Sequence, residues 1–140
     1  MYDVDPFETR LRFGSMVRTA GEMYQSIQQA AEFAIRHTSL IDHLYDCVSE
    51  QLEQSSITAR LNILYLIDAI LKLSRKSDHK EWLGHFEKDI VCVVTKVIPN
   101  NADGNTNLNN TRKVVTSWRK KGMFPDKTLD ELDKLFQGRD

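Results

Sequence analysis

The sequence is poor in cysteine, proline and glycine, and it contains no common nucleotide-binding or catalytic pattern. Only two cysteines, three prolines and six glycines occur in 140 residues. The glycine-rich phosphate patterns G-x-x-x-x-G-K-[ST] and G-x-G-x-x-G are absent, as are the catalytic patterns G-x-S-x-G and H-E-x-x-H. We therefore expect neither an enzyme nor a bound cofactor.

The two cysteines give little support for a disulfide or a metal site. Cys47 and Cys92 both lie within apolar helical patterns, which favours buried free thiols in a reducing compartment. His43 precedes Cys47 by four residues, but no further ligand follows at zinc spacing. We expect no metal.

The chain also lacks a strong charge of one sign and a long apolar run. Its 19 basic and 20 acidic residues give a net charge of -1, without the broad positive field typical of nucleic-acid binders. The longest apolar run is interrupted by Asp68 and Lys72, and the amino terminus has no apolar core of signal-peptide length. We expect a soluble intracellular protein without a membrane or nucleic-acid partner.

Helical periodicity is what the sequence has in abundance. With 41% hydrophobic and 28% charged residues, the chain can form one domain, residues 1–140, with a genuine core. Apolar residues at three-four spacing predict about seven helices and no sheet. The predicted amino-terminal caps are Asp5 before Pro6, Thr19 with Glu22, Thr38 or Ser39, Ser55 or Ser56, Asp78 with Glu81, and Thr128 with Glu131.

Two segments in the second half of the chain are harder to assign. The β-branched run IVCVVTKVI, residues 90–98, could be a strand, but a helix is favoured because no second strand-like segment could pair with it. Residues 99–110 are rich in Asn and are predicted to be a loop, with room for a short helical turn. A sixth helix then runs from Thr111 to Lys121, with Gly122 as its carboxyl-terminal cap.

The predicted fourth helix carries an acidic residue inside an apolar segment. Its stretch LNILYLIDAILKL, residues 61–73, is apolar nearly all round, which is typical of a helix at the centre of a larger helical array. Consecutive antiparallel helices packed around it favour a right-handed superhelical stack over a four-helix bundle. Asp68 either forms a simple ion pair with Lys72 or lies on the floor of a groove beside Tyr65. On the later basic segment, Arg112 and Lys113 either face solvent or meet phosphate on an acidic partner.

Three segments resemble a known family of helical domains. QSIQQAAEFAIRH (residues 25–37), ILYLIDAILKL (63–73) and VVTSWRKKGMFP (114–125) resemble the second, fourth and seventh helices of CTD-interacting domains. These right-handed superhelices of eight helices read the heptad-repeat tail of RNA polymerase II. The start DPFETRLRF (5–13) is similar to that of gamma subunits of the fungal kinase complex that phosphorylates this tail. The resemblance implies an all-α right-handed superhelix of about seven to eight helices.

Departures from the family pattern fall on the expected groove. In tail-binding members the fourth helix follows its Asp with Ser and ends with Asn, whereas Ala69 and Leu73 stand here. Ala30 and Ala31 replace the usual Leu and Thr of the second helix, which would alter that groove wall. We therefore expect a degraded groove with Tyr65, Asp68, Lys72, Arg112 and Lys113 as candidate contacts, of which Arg112 or Lys113 matches the family's phosphoserine-binding basic residue.

The resemblance also implies a role and partners. It indicates a noncatalytic nuclear scaffold that contacts the cyclin-dependent kinase and cyclin of a complex acting on RNA polymerase II, and that is a fragment of a longer subunit. An active reader of heptad peptides is the main alternative. A trafficking adaptor of the related ENTH/VHS type is a weaker one, because the start MYDVDPFET has three acids and no base.

Overall fold

Seven α-helices and one short 3-10 helix make up the described part of the chain, in which no strand occurs. The computed structural model describes residues 5–21 and 24–139. The elements are α1 (Pro6–Thr19), α2 (Tyr24–Arg36), a 3-10 helix (Thr38–Leu40), α3 (Ile41–Gln54), α4 (Ile57–Lys76), α5 (Glu81–Val97), α6 (Ala102–Lys120) and α7 (Asp126–Gln137). The predicted all-α fold is confirmed.

Helix α4 lies at the centre of this array. It packs against α2, α3, α5 and α6. Its buried residues cover most of the helix circumference and leave one partly exposed face, which carries Tyr65, Asp68 and Lys72. The buried residues are Ile63, Leu64, Leu66, Ile67, Ala69, Ile70, Leu71 and Ser74. Each large apolar side chain buried in this way contributes about 1.5–3 kcal/mol. The central position predicted from the apolar pattern is confirmed.

Local hydrogen bonds start α1 and α4 at the predicted caps. The Asp5 carboxylate accepts a hydrogen bond from the Phe7 amide at 3.0 Å. The Ser56 hydroxyl accepts one from the Ala59 amide at 3.3 Å. Both bonds satisfy amides that a helix leaves unpaired at its start.

The predicted cap of α2 lies partly outside the described residues, and the predicted cap of α3 is wrong. The pair of Thr19 and Glu22 falls partly outside the described residues, because Glu22 is not among them. Helix α3 begins after the 3-10 helix, and Leu40 precedes it without a side-chain cap. The Thr38 hydroxyl instead donates to the Ile35 carbonyl at 2.6 Å and accepts from Trp82 Nε1 at 3.1 Å, so tertiary packing uses it.

The predicted starts of α5 and α7 are also wrong. Asp78 has a φ of 61°, so it reverses the chain after α4 and cannot cap α5, which begins at Glu81. Helix α7 begins at Asp126, directly after Pro125, and Thr128 lies within its first turns. The acidic Asp126 favours that helix start through the helix dipole.

Residues 90–98 and 99–110 are mainly helical, which confirms one prediction and corrects the other. The β-branched run belongs to α5, with Ile90, Val93 and Val94 buried. The predicted loop is wrong, because α6 begins at Ala102, after an Asn101 side chain that accepts from the Gly104 amide at 3.1 Å.

Buried polar contacts hold this first half of α6 in place. The Asn107 side chain is buried, and its amide nitrogen donates to the carbonyls of Val97 at 2.8 Å and Ile57 at 3.0 Å. These bonds tie α6 to the end of α5 and the start of α4. At the other end of α6, Gly122 has a φ of 61° and ends the helix as predicted.

The cysteines differ in exposure. Both are free thiols, but Cys47 is buried whereas Cys92 is exposed on α5, so the prediction that Cys92 is buried is wrong. No helix in the described residues is both long and apolar enough to span a membrane. Within the same residues, no group of His, Cys, Asp and Glu side chains could hold a metal ion.

Candidate functional site

An open cleft runs between α2 and α4. It has a volume of about 500 Å³ and is lined by Tyr24, Ile27 and Gln28 of α2 and by Tyr65, Asp68, Ala69, Lys72, Leu73 and Lys76 of α4. We call it the α2–α4 cleft. Three of the five candidate residues from the sequence, Tyr65, Asp68 and Lys72, therefore lie together in it. Four-residue and three-residue spacing along one helix brings them to one face.

The Asp68 carboxylate in this cleft is bonded on both oxygens. Oδ1 accepts a hydrogen bond from Trp118 Nε1 at 2.8 Å, and Oδ2 accepts one from Lys72 Nζ at 3.0 Å. The side chain is 18% exposed. The predicted ion pair with Lys72 is thus present, and it lies at the cleft rather than on an open helix surface. Charge-assisted bonds of this kind stabilise a partly buried carboxylate.

Trp118 is an Asp68 partner that is not among the candidate residues from the sequence. Its ring is fully buried. A buried tryptophan nevertheless needs an acceptor for its indole N–H. That requirement was the available signal, although only the packing of α6 against α4 identifies Asp68 as the acceptor.

The apolar departures from the family pattern have different positions. Ala69 and Leu73 line the α2–α4 cleft, where their side chains offer no hydrogen-bonding group. Ala30 and Ala31 are fully buried in the core and do not line it. The expectation that Ala30 and Ala31 shape the groove wall is therefore wrong, because Tyr24, Ile27 and Gln28 form the α2 side of the cleft.

A second opening adjoins the first. It has a volume of about 440 Å³ and is lined by Lys72, Arg75 and Lys76 of α4 and by Lys121 and Met123, which follow α6. We call it the basic cleft. The Arg75 guanidinium donates to the Lys121 carbonyl and so joins the ends of the two helices. Lys72 and Lys76 line both clefts.

The other two candidate residues, Arg112 and Lys113, lie elsewhere. They line a third opening of about 420 Å³ on α6, together with Lys120 and Lys121. The Arg112 guanidinium carbon is 5.4 Å from the centroid of the Phe136 ring, which is a cation–π contact. The structure does not bring this pair into the α2–α4 cleft, and Lys121 alone is shared between the third opening and the basic cleft.

Comparison with known sequences finds a family match over most of the chain. Residues 4–125 match the family described as CTD kinase subunit gamma CTK3. A curated relative from Schizosaccharomyces pombe, named CTD kinase subunit gamma, is 33% identical over 124 residues, which cover 88% of this chain and 57% of the relative. The chain thus spans little more than half the length of that relative.

Comparison with solved structures agrees with the fold. A structure of a non-canonical CID of Ctk3 matches with a TM-score of 0.92 and 30% identity, covering 97% of this chain and 98% of the other. A yeast Nrd1 CID, solved in complex with Sen1 NIM3, matches with a TM-score of 0.72 and 16% identity, covering 94% and 98%. The fold is therefore that of CTD-interacting domains, as the sequence resemblance implied.

Proposed function

Because this chain belongs to the family of CTD kinase gamma subunits, we propose that it is a noncatalytic scaffold domain of a kinase complex that phosphorylates the RNA polymerase II tail. In this proposal the domain contacts the cyclin-dependent kinase and the cyclin in the nucleus. Its α2–α4 cleft no longer reads heptad repeats.

The state of Asp68 is the observation that carries the proposal. Both carboxylate oxygens already accept hydrogen bonds, from Trp118 and from Lys72. A peptide donor would have to share or displace them, and a hydrogen bond to a charged group contributes about 1.5–3 kcal/mol. Ala69 and Leu73 beside it supply no replacement partner. The cleft is open, but the Asp68 carboxylate in it already accepts hydrogen bonds from two side chains of the domain itself.

Peptide binding tests this proposal directly. Fluorescence anisotropy would follow titrations of labelled heptad peptides, unphosphorylated and serine-phosphorylated, with an established tail reader as positive control. We expect no binding by this domain under conditions in which the control binds with micromolar affinity, about -8 kcal/mol.

The active reader is the second candidate, and the retained Asp68 at an open cleft favours it. It predicts micromolar binding that Asp68→Ala weakens, together with a phosphate preference that Arg112→Ala removes. Such a result would overturn the scaffold proposal. Binding that neither substitution changes would reject the assignment of these residues to a groove.

Co-purification tests the scaffold role itself. The full-length subunit should bind kinase and cyclin more strongly than residues 1–140, because the curated relative extends well beyond the matched region. Full binding by residues 1–140 alone would contradict this division of contacts between the domain and the rest of the subunit.

A further inference from the structure

The basic cleft is lined by basic residues from the end of α4 and from the segment that follows α6. Four of its five lining residues are basic: Lys72, Arg75, Lys76 and Lys121. We propose that this cleft is a docking surface for a carboxylate-rich segment of a protein partner, with an apolar side chain of that segment seated on Met123. The inference rests on the proposed scaffold role and gives that role a contact surface.

The helix dipole accounts for Arg75, Lys76 and Lys121 individually, but it does not account for their position in one cleft. Arg75 and Lys76 lie in the last turn of α4, and Lys121 directly follows α6, so each faces the negative end of a helix. The bond from Arg75 to the Lys121 carbonyl brings these two ends together. Like charges that line one cleft repel each other, and a bound anion would relieve that repulsion.

The chain itself neutralises little of this charge. Lys72 pairs with Asp68, but no carboxylate of the described residues forms an ion pair with Arg75, Lys76 or Lys121. The net charge of the whole chain is only -1, so this is a local patch rather than a general positive field. The cleft is therefore complementary to a short anionic segment.

The donors favour several carboxylates over one phosphate group. Arginine binds phosphate best through a two-pronged guanidinium, and the guanidinium of Arg75 is already engaged with the Lys121 carbonyl. The remaining cations are lysines, which act as separate point charges. Among the described residues, none that lines the cleft is aromatic, so base stacking has no support there. Met123 is 6% exposed and adds an apolar floor, which suits a protein segment.

A synthetic peptide tests the chemistry of the cleft. The probe is a short fluorescein-labelled peptide of Glu residues around a central Leu, and its control carries Gln in place of every Glu. We expect the acidic peptide to bind about tenfold more tightly or better, and to weaken as ionic strength rises. Equal affinities of the two peptides would overturn the proposal.

Charge reversal tests the position of the site. Lys76→Glu with Lys121→Glu should weaken the acidic peptide about tenfold or more. Lys88→Glu with Lys127→Glu is the matched control, because it changes net charge equally at exposed positions of α5 and α7 outside the cleft. Similar losses in both variants would mean nonspecific attraction and would reject the site.

A charge-neutral variant and a competition with a phosphopeptide complete the test. Lys76→Gln with Lys121→Gln removes the charges without reversing them, and circular dichroism reports whether each variant folds. A serine-phosphorylated heptad peptide that competes at lower concentration than free acidic peptide would overturn the choice of carboxylates.

Co-purification of the kinase complex tests the docking surface and the scaffold role separately. Full-length subunit carrying Lys76→Glu with Lys121→Glu should lose kinase or cyclin on co-purification, whereas the Lys88 and Lys127 control should retain both. Retention by both variants, with the wild type also binding, would reject the docking surface and leave the scaffold role standing. Failure of the wild type to co-purify would reject the scaffold role itself.

Discussion

Asp68 is held from two sides by bonds of different strength. Lys72 lies four residues further along the same helix, and its side chain is 34% exposed, so this pair contributes about 0.3–0.5 kcal/mol. Trp118 comes from another helix and is fully buried, so its indole N–H cannot exchange Asp68 for water. Loss of the Trp118 bond should therefore cost more than loss of the Lys72 pair.

The two tryptophans offer a matched test of that difference. Trp118→Phe removes a donor to a carboxylate, whereas Trp82→Phe removes a donor to the neutral Thr38 hydroxyl. Both rings are fully buried, so the loss of packing is similar. We expect Trp118→Phe to lower the free energy of unfolding by about 1 kcal/mol more than Trp82→Phe does. Urea denaturation followed by circular dichroism measures this, and equal losses would contradict a special role for Asp68.

Tyr45 gives the protein a pH dependence in the alkaline range. Its hydroxyl donates to Asp89 Oδ2 at 2.6 Å, and burial, followed by the Asp89 carboxylate, raises the pKa of Tyr45 well above its ordinary value near 10. The unfolded chain therefore loses this proton first. The contribution to stability is complete below about pH 10 and falls as the pH rises further.

Substitution of Tyr45 should remove part of this alkaline decline. Urea denaturation at about pH 8 and about pH 11 compares the wild type with Tyr45→Phe. We expect the wild type to lose more stability than the variant between these two values. Tyr24→Phe is the control because Tyr24 is 76% exposed, and it should keep the wild-type decline. An identical decline in Tyr45→Phe would contradict the assignment.

Among the helices, the ones with apolar periodicity were predictable and the first half of α6 was not. The buried residues there are Gly104, Asn107 and Thr111, which repeat at helical spacing but include no hydrophobic side chain. Hydrophobic periodicity therefore has nothing to detect, and Asn by itself favours loops. Only the carbonyls of Val97 and Ile57, brought close by tertiary packing, make a buried Asn107 favourable.

The same limit applies to the candidate site. Tyr65, Asp68 and Lys72 share one helix, so their spacing alone places them together. The Trp118 donor and the Lys121 contribution come from α6 and the chain after it, and no pattern in the sequence relates them to α4. Family resemblance predicts that Arg112 and Lys113 belong to the same groove, but they line a separate opening on α6.

Two glycines test the packing of α6 against the end of α5. A Cβ at Gly104 would overlap the carbonyl oxygen of Pro99 and lie 2.9 Å from the carbonyl carbons of Ile98 and Pro99, whereas a Cβ at Gly84 would meet nothing within 4 Å. We expect Gly104→Ala to destabilise the protein by about 1–3 kcal/mol. Gly84→Ala should stabilise it by about 0.5–1 kcal/mol, because alanine favours a helix. Thermal and urea denaturation measure both, and a neutral Gly104→Ala would contradict the close approach.

The whole molecule can be probed through its two thiols. Cys47 Sγ packs where α1 meets α3, and burial raises the pKa of the Cys47 thiol. Cys92 is exposed. In the native protein we expect maleimide to label Cys92 at least about a hundredfold faster than Cys47, because Cys47 reacts only when the structure opens.

A single-thiol variant turns this into a measure of opening. With Cys92→Ser, the labelling rate of Cys47, followed by mass spectrometry, should rise with urea in parallel with global unfolding. Rapid labelling of Cys47 without urea would mean that α1 separates from α3 while the rest of the protein stays folded.

The position of Lys72 between the α2–α4 cleft and the basic cleft links ligand binding in one to ligand binding in the other. Lys72 lines both openings, and its ammonium group is one of the two donors to Asp68. An anion that draws this ammonium into the basic cleft leaves Asp68 Oδ2 open to a donor in the α2–α4 cleft. Thermodynamic reciprocity then requires a ligand bound to Asp68 to strengthen anion binding by the same factor. We therefore expect the proposed partner, when docked on the basic side, to change the affinity of the neighbouring cleft for a ligand that donates to Asp68.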